Sequence, residues 1–303
     1  MNTENNKKYY LKPIIKWAGG KGQLINEISK KYPEELGLSI KKYAEPFIGG
    51  GAVLFDILNK FDLEEIYISD INAELINTYI QVKENVEDLI AFLYDYENTF
   101  LKSSADERKK IYYKKRERYN TLMVSENSKN IESASLFIFL NKTCFNGLYR
   151  VNRKGLYNVP MGSYKNPKIC DEKNLREVSK ALANVYIVCA DYRKSHSFID
   201  QNTLVYFDPP YRPLNITSSF TSYNCNGFDD NSQAELAKYV QILSQKGAYV
   251  IVSNSDPKNS NPDDNFFDIL YSKQNISRIS ANRMINSNAK LRGRINELLI
   301  SNY

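Results

Sequence analysis

Four consecutive residues, Asp208-Pro209-Pro210-Tyr211, carry the side chains best suited to chemistry, and they follow a run of strand-forming residues that ends at Phe207. Open α/β sheets bind their ligands at the carboxyl ends of strands, and two successive prolines make the chain leave the sheet in a stiff, extended turn. This set suits a planar ring with an exocyclic amine, because the carboxylate and a carbonyl can accept its two N–H bonds while the tyrosine stacks on the ring. The alternative interpretation is a proline-rich turn after a core strand.

A second group of residues has the order of a site that grips a nucleoside-bearing cofactor. The segment 43–47 is typical of a short strand and runs into three glycines at 49–51. A buried helix is predicted over 52–58, and a second strand over 66–70 ends on Asp70. Glycines let the backbone approach a ligand closely, and an acid about 20 residues further on accepts bonds from the ribose hydroxyls.

The composition is that of a globular protein. Of its residues, 42% are hydrophobic and 25% are charged. The length of 303 residues is enough for one large domain or two modest ones. No apolar run approaches the length of a membrane span, and the polar segment 1–8 lacks the apolar core of a signal peptide, so a cytoplasmic location fits. The cysteines form no C-x-x-C pair and no cluster with histidine, which indicates neither a metal site nor a disulfide framework. They are Cys144, Cys170, Cys189 and Cys225, and Cys189 is predicted to be a buried free thiol because it lies in an apolar run.

The positive charge is concentrated in the middle of the chain. Residues 101–170 hold 15 Lys and Arg against five Asp and Glu, a local net charge of +10, whereas the rest of the chain sums to −4. A basic block of this kind is typical of a surface that binds a polyanion. A solvated helix face explains the charge equally well.

The predicted elements form a discontinuous α/β domain, 1–72 and 171–303, interrupted by a mostly helical, basic insertion at 73–170. Apolar residues recur with helical spacing from Ile71 to Leu93, and the helical pattern continues to about Leu140. The segment 141–166 is rich in Asn, Gly, Tyr and Arg and is predicted to be a loop or hairpin. Further strands are predicted over 185–188, 204–207, 248–252 and 297–301, crossover helices over 192–200 and 232–244, and a surface loop over 253–264.

Two more motifs join the catalytic tetrapeptide and the glycines. Lys16-Trp17-Ala18-Gly19-Gly20-Lys21 stands near the start, and Phe145-Asn146-Gly147-Leu148-Tyr149-Arg150-Val151-Asn152 precedes Asn158-Val159-Pro160. With these motifs the chain resembles the Dam-type DNA adenine-N6 methyltransferases, in the group whose order is cofactor motif, recognition region and catalytic motif. The resemblance runs from about Leu11 to Tyr303, and it is close to the subgroup that methylates adenine in GATC.

The resemblance implies a class I, Rossmann-like methyltransferase sheet with an inserted, mostly helical DNA-recognition domain. It implies S-adenosylmethionine as cofactor and Asp208, Pro209, Pro210 and Tyr211 as the catalytic motif. The positions that match the family's cofactor-binding residues are Trp17, Lys21, Phe47, Gly49, Gly51, Asp70, Asp191 and Asp208.

Double-stranded DNA is the partner that the resemblance implies. The positions that match the family's base-reading residues are Lys16, Phe145, Asn146, Leu148, Arg150 and Pro160. A guanidinium such as that of Arg150 can bond O6 and N7 of a guanine together. Phe145 departs from the tyrosine often found at its position, so an aromatic wedge is kept while a hydroxyl contact is lost. The resemblance leaves open a cognate restriction endonuclease as a functional, non-physical partner, a monomer or a weak dimer, and a nucleoid-associated or phage-encoded enzyme.

The chemistry of the tetrapeptide agrees with this resemblance. If Asp208 and the Pro209 carbonyl accept the two N–H bonds of adenine N6, the lone pair of the nitrogen is drawn out of the ring, and positioning and electrostatics then do most of the work. No strong base is needed, and His196 is predicted to lie on the surface. A paired adenine must be flipped out to reach Asp208, with Phe145 filling the gap and Phe220 to Tyr223 closing over the base.

Three alternatives remain from the residues alone. Cytosine N4 is an equally planar amine, although enzymes that methylate it more often carry Ser at the first position of the catalytic motif. RNA methylation more often uses Asn there. A catalytically silent DNA-binding relative is the non-enzyme alternative, and the intact Asp208, Asp70 and glycines at 49–51 argue against it.

Overall fold

The computed structural model describes residues 9–125, 128–212, 228–282 and 294–303. Within these ranges the chain forms two compact units. The first comprises the residues up to Gly20, Gly49–Phe61 and Asn72–Val185, and the second comprises Lys21–Ile48, Asp62–Ile71 and Tyr186–Tyr303. The predicted Phe220 to Tyr223 closure and Cys225 lie outside the described residues.

The second unit is built on a seven-stranded sheet in the order β3-β2-β1-β4-β5-β7-β6. β1 pairs in parallel with β2 and β4, and β4 pairs in parallel with β5. β7 is antiparallel to both β5 and β6. The strands are β1 (Lys42–Glu45), β2 (Glu65–Asp70), β3 (Val185–Cys189), β4 (Thr203–Phe207), β5 (Tyr249–Ser255), β6 (Asn275–Asn282) and β7 (Arg294–Ser301).

The centre of this sheet is apolar because its middle strands are covered on their faces. All five residues of β4 are buried, as expected for a central parallel strand. Val205 and Phe207 pack in one cluster with Val250, Val252 and Leu298, and with apolar residues of the helix that follows β4. The helices of this unit are α1 (Ile25–Ser29), α8 (Asp230–Gln245) and α9 (Phe266–Leu270), with 3₁₀ turns at Lys21–Gln23, Tyr192–Ser197 and Pro257–Asn259.

The first unit is helical. It contains α2 (Ala52–Lys60), α3 (Ala73–Glu84), α4 (Val86–Lys102), α5 (Ala105–Met123), α6 (Ile131–Thr143) and α7 (Glu172–Leu182), with a 3₁₀ turn at Phe145–Gly147. α6 is buried along most of its length and packs against α3, α4 and α5, which suits a helix that is apolar on all sides. The basic helix α5 begins with a capping box between Ser104 and Glu107.

The predicted strands are confirmed, with β5 and β7 longer than expected, and helices follow one another from Ala73 to Thr143. The sequence reading missed α7 and β6. The signal for α7 was present, since Leu175, Val178 and Leu182 share a buried face. β6 gave little signal, because it carries mostly polar residues and, among the described strands, pairs with β7 alone.

Three local predictions were wrong. Cys189 is exposed, because β3 is an edge strand of the sheet. The surface loop predicted over 253–264 is wrong at its start, because β5 continues to Ser255 and Ser253 to Asp256 are buried, whereas residues 259–263 are exposed as predicted. The expected crossover helix after Asp191 is the short 3₁₀ turn. Among the helices of the described ranges, none is long and apolar enough to cross a membrane.

Candidate active site

The carboxylate of Asp208 stands directly after β4, where the prolines end the strand. The ammonium of Lys21 lies 2.7 Å from its Oδ1 atom, and the hydroxyl of Ser253 donates to the same oxygen at 3.0 Å. The Lys21 side chain is only 5% exposed and that of Asp208 21%. Burial raises the pKa of Asp208 above its ordinary value, and the nearby Lys21 ammonium limits the rise. Both hydrogen bonds end on Oδ1, so Oδ2 is the oxygen that a further donor would meet.

The turn after Asp208 is held by the side chain of Gln233. The Pro210 carbonyl accepts a hydrogen bond from Gln233 Nε2 at 3.0 Å, and Gln233 Oε1 accepts one from Asn254 Nδ2 at 3.1 Å. Within the described ranges the Pro209 carbonyl accepts no such bond. A carbonyl in this state can accept a ligand N–H group beside the Asp208 carboxylate.

The ring of Tyr211 is held at two points. Its hydroxyl donates a short hydrogen bond to the carboxylate of Glu297 on β7. The ammonium of Lys21 lies over the ring, 4.5 Å from its centre. Lys21 therefore contacts both the acid and the aromatic residue of the tetrapeptide.

Arg212 anchors the chain just after the tetrapeptide. Its guanidinium bonds both oxygens of Asp230, at 2.7 and 2.9 Å, and one oxygen of Asp264 at 2.6 Å. It also lies 4.3 Å from the centre of the Phe266 ring. A fork held by two carboxylates has little freedom, so the residue that follows Tyr211 is fixed in place.

Phe47 and two acids of the second unit lie at the ends of neighbouring strands. Phe47 follows β1 and stacks on Tyr192 with 5.4 Å between the ring centres. Asp70 is the last residue of β2, and its carbonyl accepts from the Ala190 N–H group at 3.1 Å. The Asp191 carboxylate caps the 3₁₀ turn and pairs with Arg193 at 2.7 Å, and its side chain remains partly exposed.

The glycine loop of the first unit adopts a backbone that only glycine adopts readily. Gly49 and Gly51 have φ angles of 45° and 70°. A Cβ on Gly49 would lie 2.7 Å from Cδ1 of Trp17, so the indole and the loop are in close contact. Gly51 precedes α2 and places no side-chain cap on the first turn of that helix. A helix start without a side-chain cap, preceded by glycines, can accept the anionic end of a ligand.

Except for Lys16, the base-reading residues predicted from the sequence lie on one hairpin of the first unit. Isolated bridges join Cys144 to Met161 and Val151 to Tyr157. The Phe145 N–H group donates to the Pro160 carbonyl at 2.9 Å. The Phe145 ring is 52% exposed, and Pro160 is exposed beside it. The prediction of a hairpin with exposed groups in this segment is confirmed.

Arg150 projects from the same hairpin and is exposed. Its Nε atom donates to Oδ1 of Asn158 at 2.8 Å. The bond fixes the guanidinium plane and leaves its far edge to meet a ligand. Leu148 is partly buried, and Asn146 has a positive φ of 56°.

Lys16 is tied to the hairpin through Asn141, a residue that is 3% exposed. The Asn141 amide accepts from the Lys16 N–H group at 2.8 Å and donates to the Lys16 carbonyl at 2.8 Å and the Gly147 carbonyl at 3.0 Å. A Cβ on Gly147 would lie 2.7 Å from the Lys16 side chain. One buried amide therefore holds Lys16 beside the start of the hairpin.

Comparison with known proteins identifies the family of this chain. Residues 17–285 match the family described as D12 class N6 adenine-specific DNA methyltransferase. This chain belongs to that family. Enzymes of the family use S-adenosylmethionine as methyl donor and act on DNA, and membership favours adenine N6 over the cytosine and RNA alternatives.

Three relatives of this methyltransferase each match at least 95% of its length. A type II methyltransferase of Methanocaldococcus jannaschii is 48% identical over 295 residues, which cover 97% of this chain and 99% of the relative. A type II methyltransferase of Lactococcus lactis subsp. cremoris is 37% identical over 100% of this chain and 99% of its own. A DNA adenine methylase of Haemophilus influenzae is 33% identical over 95% of this chain and 92% of its own.

Three residues around the motifs of the enzyme were missed by the sequence reading: Glu297, Ser253 and Asn141. Glu297 and Ser253 lie 86 and 45 residues from the partners that they bond, so no local pattern signals them. Asn141 offered a weak signal, because a polar side chain in the apolar helix α6 needs partners when it is buried. His196 is exposed, as predicted.

Proposed function

We propose that this enzyme transfers a methyl group from S-adenosylmethionine to N6 of adenine in double-stranded DNA, at GATC, after the adenine is flipped out of the helix. The observation that carries the proposal is the state of the tetrapeptide: Asp208 is held through Oδ1, and the turn that contains the Pro209 carbonyl is held by the bond from Gln233 to the Pro210 carbonyl. These are two acceptors for the two N–H bonds of one planar amine.

The chain's own residues act on the amine by hydrogen bonding and orientation. Adenine N6 is a poor nucleophile because its lone pair is delocalised into the ring. Oδ2 of Asp208 and the Pro209 carbonyl accept its N–H bonds, which draws the nitrogen toward a tetrahedral state. Tyr211 stacks on the ring and fixes the direction of the lone pair. When bound, S-adenosylmethionine supplies an electrophilic methyl group.

A strong base is not required of the protein. The amine becomes acidic once it is alkylated, and the ionised Asp208 carboxylate lies within hydrogen-bond reach of its proton. The proton can pass from there to water, because the Asp208 side chain keeps 21% of its exposure. This explains why the exposed His196 has no part in the chemistry.

Cofactor binding is assigned to residues of each unit separately. In the second unit, we assign the ribose hydroxyls to Asp70, the adenine of the cofactor to Asp191, and further cofactor contacts to Phe47, Lys21 and Asp208. In the first unit, we assign cofactor contacts to Trp17, Gly49 and Gly51, because a glycine loop before a helix without a side-chain cap suits a carboxylate.

Base reading is assigned to residues 73–170 as a target-recognition domain, together with Lys16. Arg150 and Lys16 read guanines in the major groove. Asn146, Leu148 and Pro160 contact the remaining base pairs, and Phe145 fills the space that the flipped adenine leaves. The exposed lysines of α5, including Lys109, Lys110 and Lys114, supply phosphate contacts that add affinity without specificity.

The test is the transfer of labelled methyl from S-adenosylmethionine to duplex DNA, with recovery of the modified base. N6-methyladenine as the labelled product supports the proposal, and label on cytosine or in RNA alone contradicts it. The variant Asp208→Ala should bind the duplex as the wild type does and transfer no methyl group. An Asp263→Ala variant, which removes an exposed acid of the same unit, is the matched control and should keep full activity.

A further inference from the structure

Glu297 is a carboxylate from a distant part of the chain that contacts the catalytic tetrapeptide. It lies on β7 opposite Ser255 of β5. Because β7 is antiparallel to β5, the first residues of β7 lie at the edge of the sheet where β4 and β5 end. That edge carries Asp208 and Tyr211, and the Tyr211 hydroxyl donates its hydrogen bond to the Glu297 carboxylate.

An acid at this place is costly for a strand. The next residues of β7, Leu298 to Ile300, are buried and apolar. Burial raises the pKa of Glu297, which means that its ionised form loses solvation on folding. Within the described ranges Tyr211 is the hydrogen-bond donor that this side chain has. The acid at position 297 therefore contributes an acceptor for the Tyr211 hydroxyl, which an apolar residue could not provide.

The ring of Tyr211 needs such support. A tyrosine that follows two prolines can turn about its side-chain bonds, and a ring that is free to turn loses conformational entropy when it stacks on a base. Glu297 fixes the hydroxyl end of the ring, while the Lys21 ammonium lies 4.5 Å from the ring centre. The two contacts set the ring plane before any ligand arrives.

We propose that Glu297 is a positioning residue for the methyl-transfer reaction, which acts by holding the ring of Tyr211 in the plane that stacks on the target adenine. The proposal rests on the proposed function, since it takes Tyr211 as the stacking residue. It predicts that Glu297 acts only through the Tyr211 hydroxyl, so that the two groups form one functional unit.

A double-mutant cycle tests this prediction. The variants are Tyr211→Phe, which removes the hydroxyl, Glu297→Leu, which removes the acceptor, and the pair together. Each single variant should lower kcat by about tenfold, the scale of one hydrogen bond to a charged group, with KM for DNA unchanged. The double variant should lose no more than either single one. Glu297→Gln keeps an acceptor oxygen and should recover most of the activity.

Two controls separate positioning from a structural role. Glu34→Gln and Tyr186→Phe change exposed residues of the same unit and should leave kcat unchanged. Thermal unfolding of every variant identifies those that do not fold. For variants that do, the fluorescence of 2-aminopurine at the target position should be quenched less by Tyr211→Phe and Glu297→Leu than by the wild type, because the ring stacks less well.

Two outcomes would overturn the proposal in a wild-type enzyme that methylates adenine. One is losses that multiply in the double variant, which would mean that Glu297 and Tyr211 act separately. The other is full activity of folded Glu297→Leu. A wild type that methylates no adenine would instead refute the proposed function, so the two failures are distinguishable.

Discussion

The Lys21 ammonium and the Asp208 carboxylate form an ion pair of 2.7 Å at the end of β4, and the same ammonium lies over the ring of Tyr211. Lys21 therefore donates an N–H bond to Asp208 and contacts the ring face of Tyr211. These are the same two kinds of contact that we assign to the target adenine. In the absence of DNA, the Lys21 ammonium pairs with the buried Asp208 carboxylate. This pairing favours the ionised form of Asp208, which we propose for catalysis.

The first prediction concerns the pH dependence of activity. Burial raises the pKa of Asp208 and Lys21 lowers it, so the variant Lys21→Met should raise that pKa further. A protonated Asp208 cannot accept through both oxygens, so activity falls as the pH falls through this pKa. The acidic limb of kcat/KM against pH, which reports the free enzyme, should move to higher pH in Lys21→Met at saturating cofactor. The exposed-lysine variant Lys30→Met is the control, and an unmoved limb in Lys21→Met would show that the ion pair does not tune Asp208.

The second prediction separates activity from stability at Asp208. The pKa of this carboxyl in the folded protein is raised above its unfolded value. The stability that Asp208 contributes is therefore fully present at pH values below its pKa in the unfolded protein. It is lost as the pH rises through its pKa in the folded protein. Asp208→Asn stays neutral at every pH, so its Tm at neutral pH should equal or exceed that of the wild type. Its kcat should fall by about 100-fold or more, because the charge that polarises the amine is gone.

Unfolding curves at neutral and acidic pH, measured beside methyl transfer, check the second prediction. A lower Tm of Asp208→Asn at neutral pH would mean that the ion pair with Lys21 outweighs the burial of the charge.

The third prediction concerns base reading by Arg150. The variant Arg150→Ala should lose discrimination at one base pair of the site by about 1–3 kcal/mol, the value of one bidentate contact. Arg153→Ala removes an exposed arginine from the same hairpin and is the matched control. It should weaken binding to all sequences alike and reduce its salt dependence. Methylation rates on duplexes that differ at one position measure both effects, and equal discrimination in the Arg150 and Arg153 variants would contradict the assignment.

The fourth prediction concerns Asn141, which holds Lys16 against the hairpin by three hydrogen bonds. Asn141→Asp keeps the acceptor for the Lys16 N–H group but loses the donor to two carbonyls. Each carbonyl left without a partner costs about 1–3 kcal/mol. The variant should be less stable and should discriminate less at the base pair that we assign to Lys16. Asn166→Asp, at an exposed position, is the control. A loss of stability with unchanged discrimination would leave Asn141 a structural residue only.

The sequence predicted most of the sheet because the central strands are buried and therefore continuous apolar runs, as in Leu204 to Phe207. Edge strands are not marked by continuous burial, and their residues were predicted less well. β6 is mostly polar and was missed, and Cys189 on β3 is exposed although it follows apolar neighbours. An apolar run predicts a strand, but it does not show whether the strand lies in the centre of the sheet or at an edge.

The parts of the candidate site that consist of consecutive residues were predictable from the sequence. The Asp208 tetrapeptide and the glycines at 49–51 are local motifs, and the hairpin of Arg150 was expected from its composition. The partners of these residues were not predictable. Ser253 reaches Asp208 only because β5 pairs with β4, and Glu297 reaches Tyr211 only because β7 runs antiparallel to β5. Strand pairing, which one sequence does not reveal, brings them together.

The most direct test of the central claim compares two duplexes that differ only in a single GATC site, each incubated with the enzyme and labelled S-adenosylmethionine. The account predicts label on the GATC duplex alone, recovered as N6-methyladenine and abolished by Asp208→Asn. Label on both duplexes would contradict the proposed specificity. Label that persists in Asp208→Asn would contradict the proposed chemistry of Asp208.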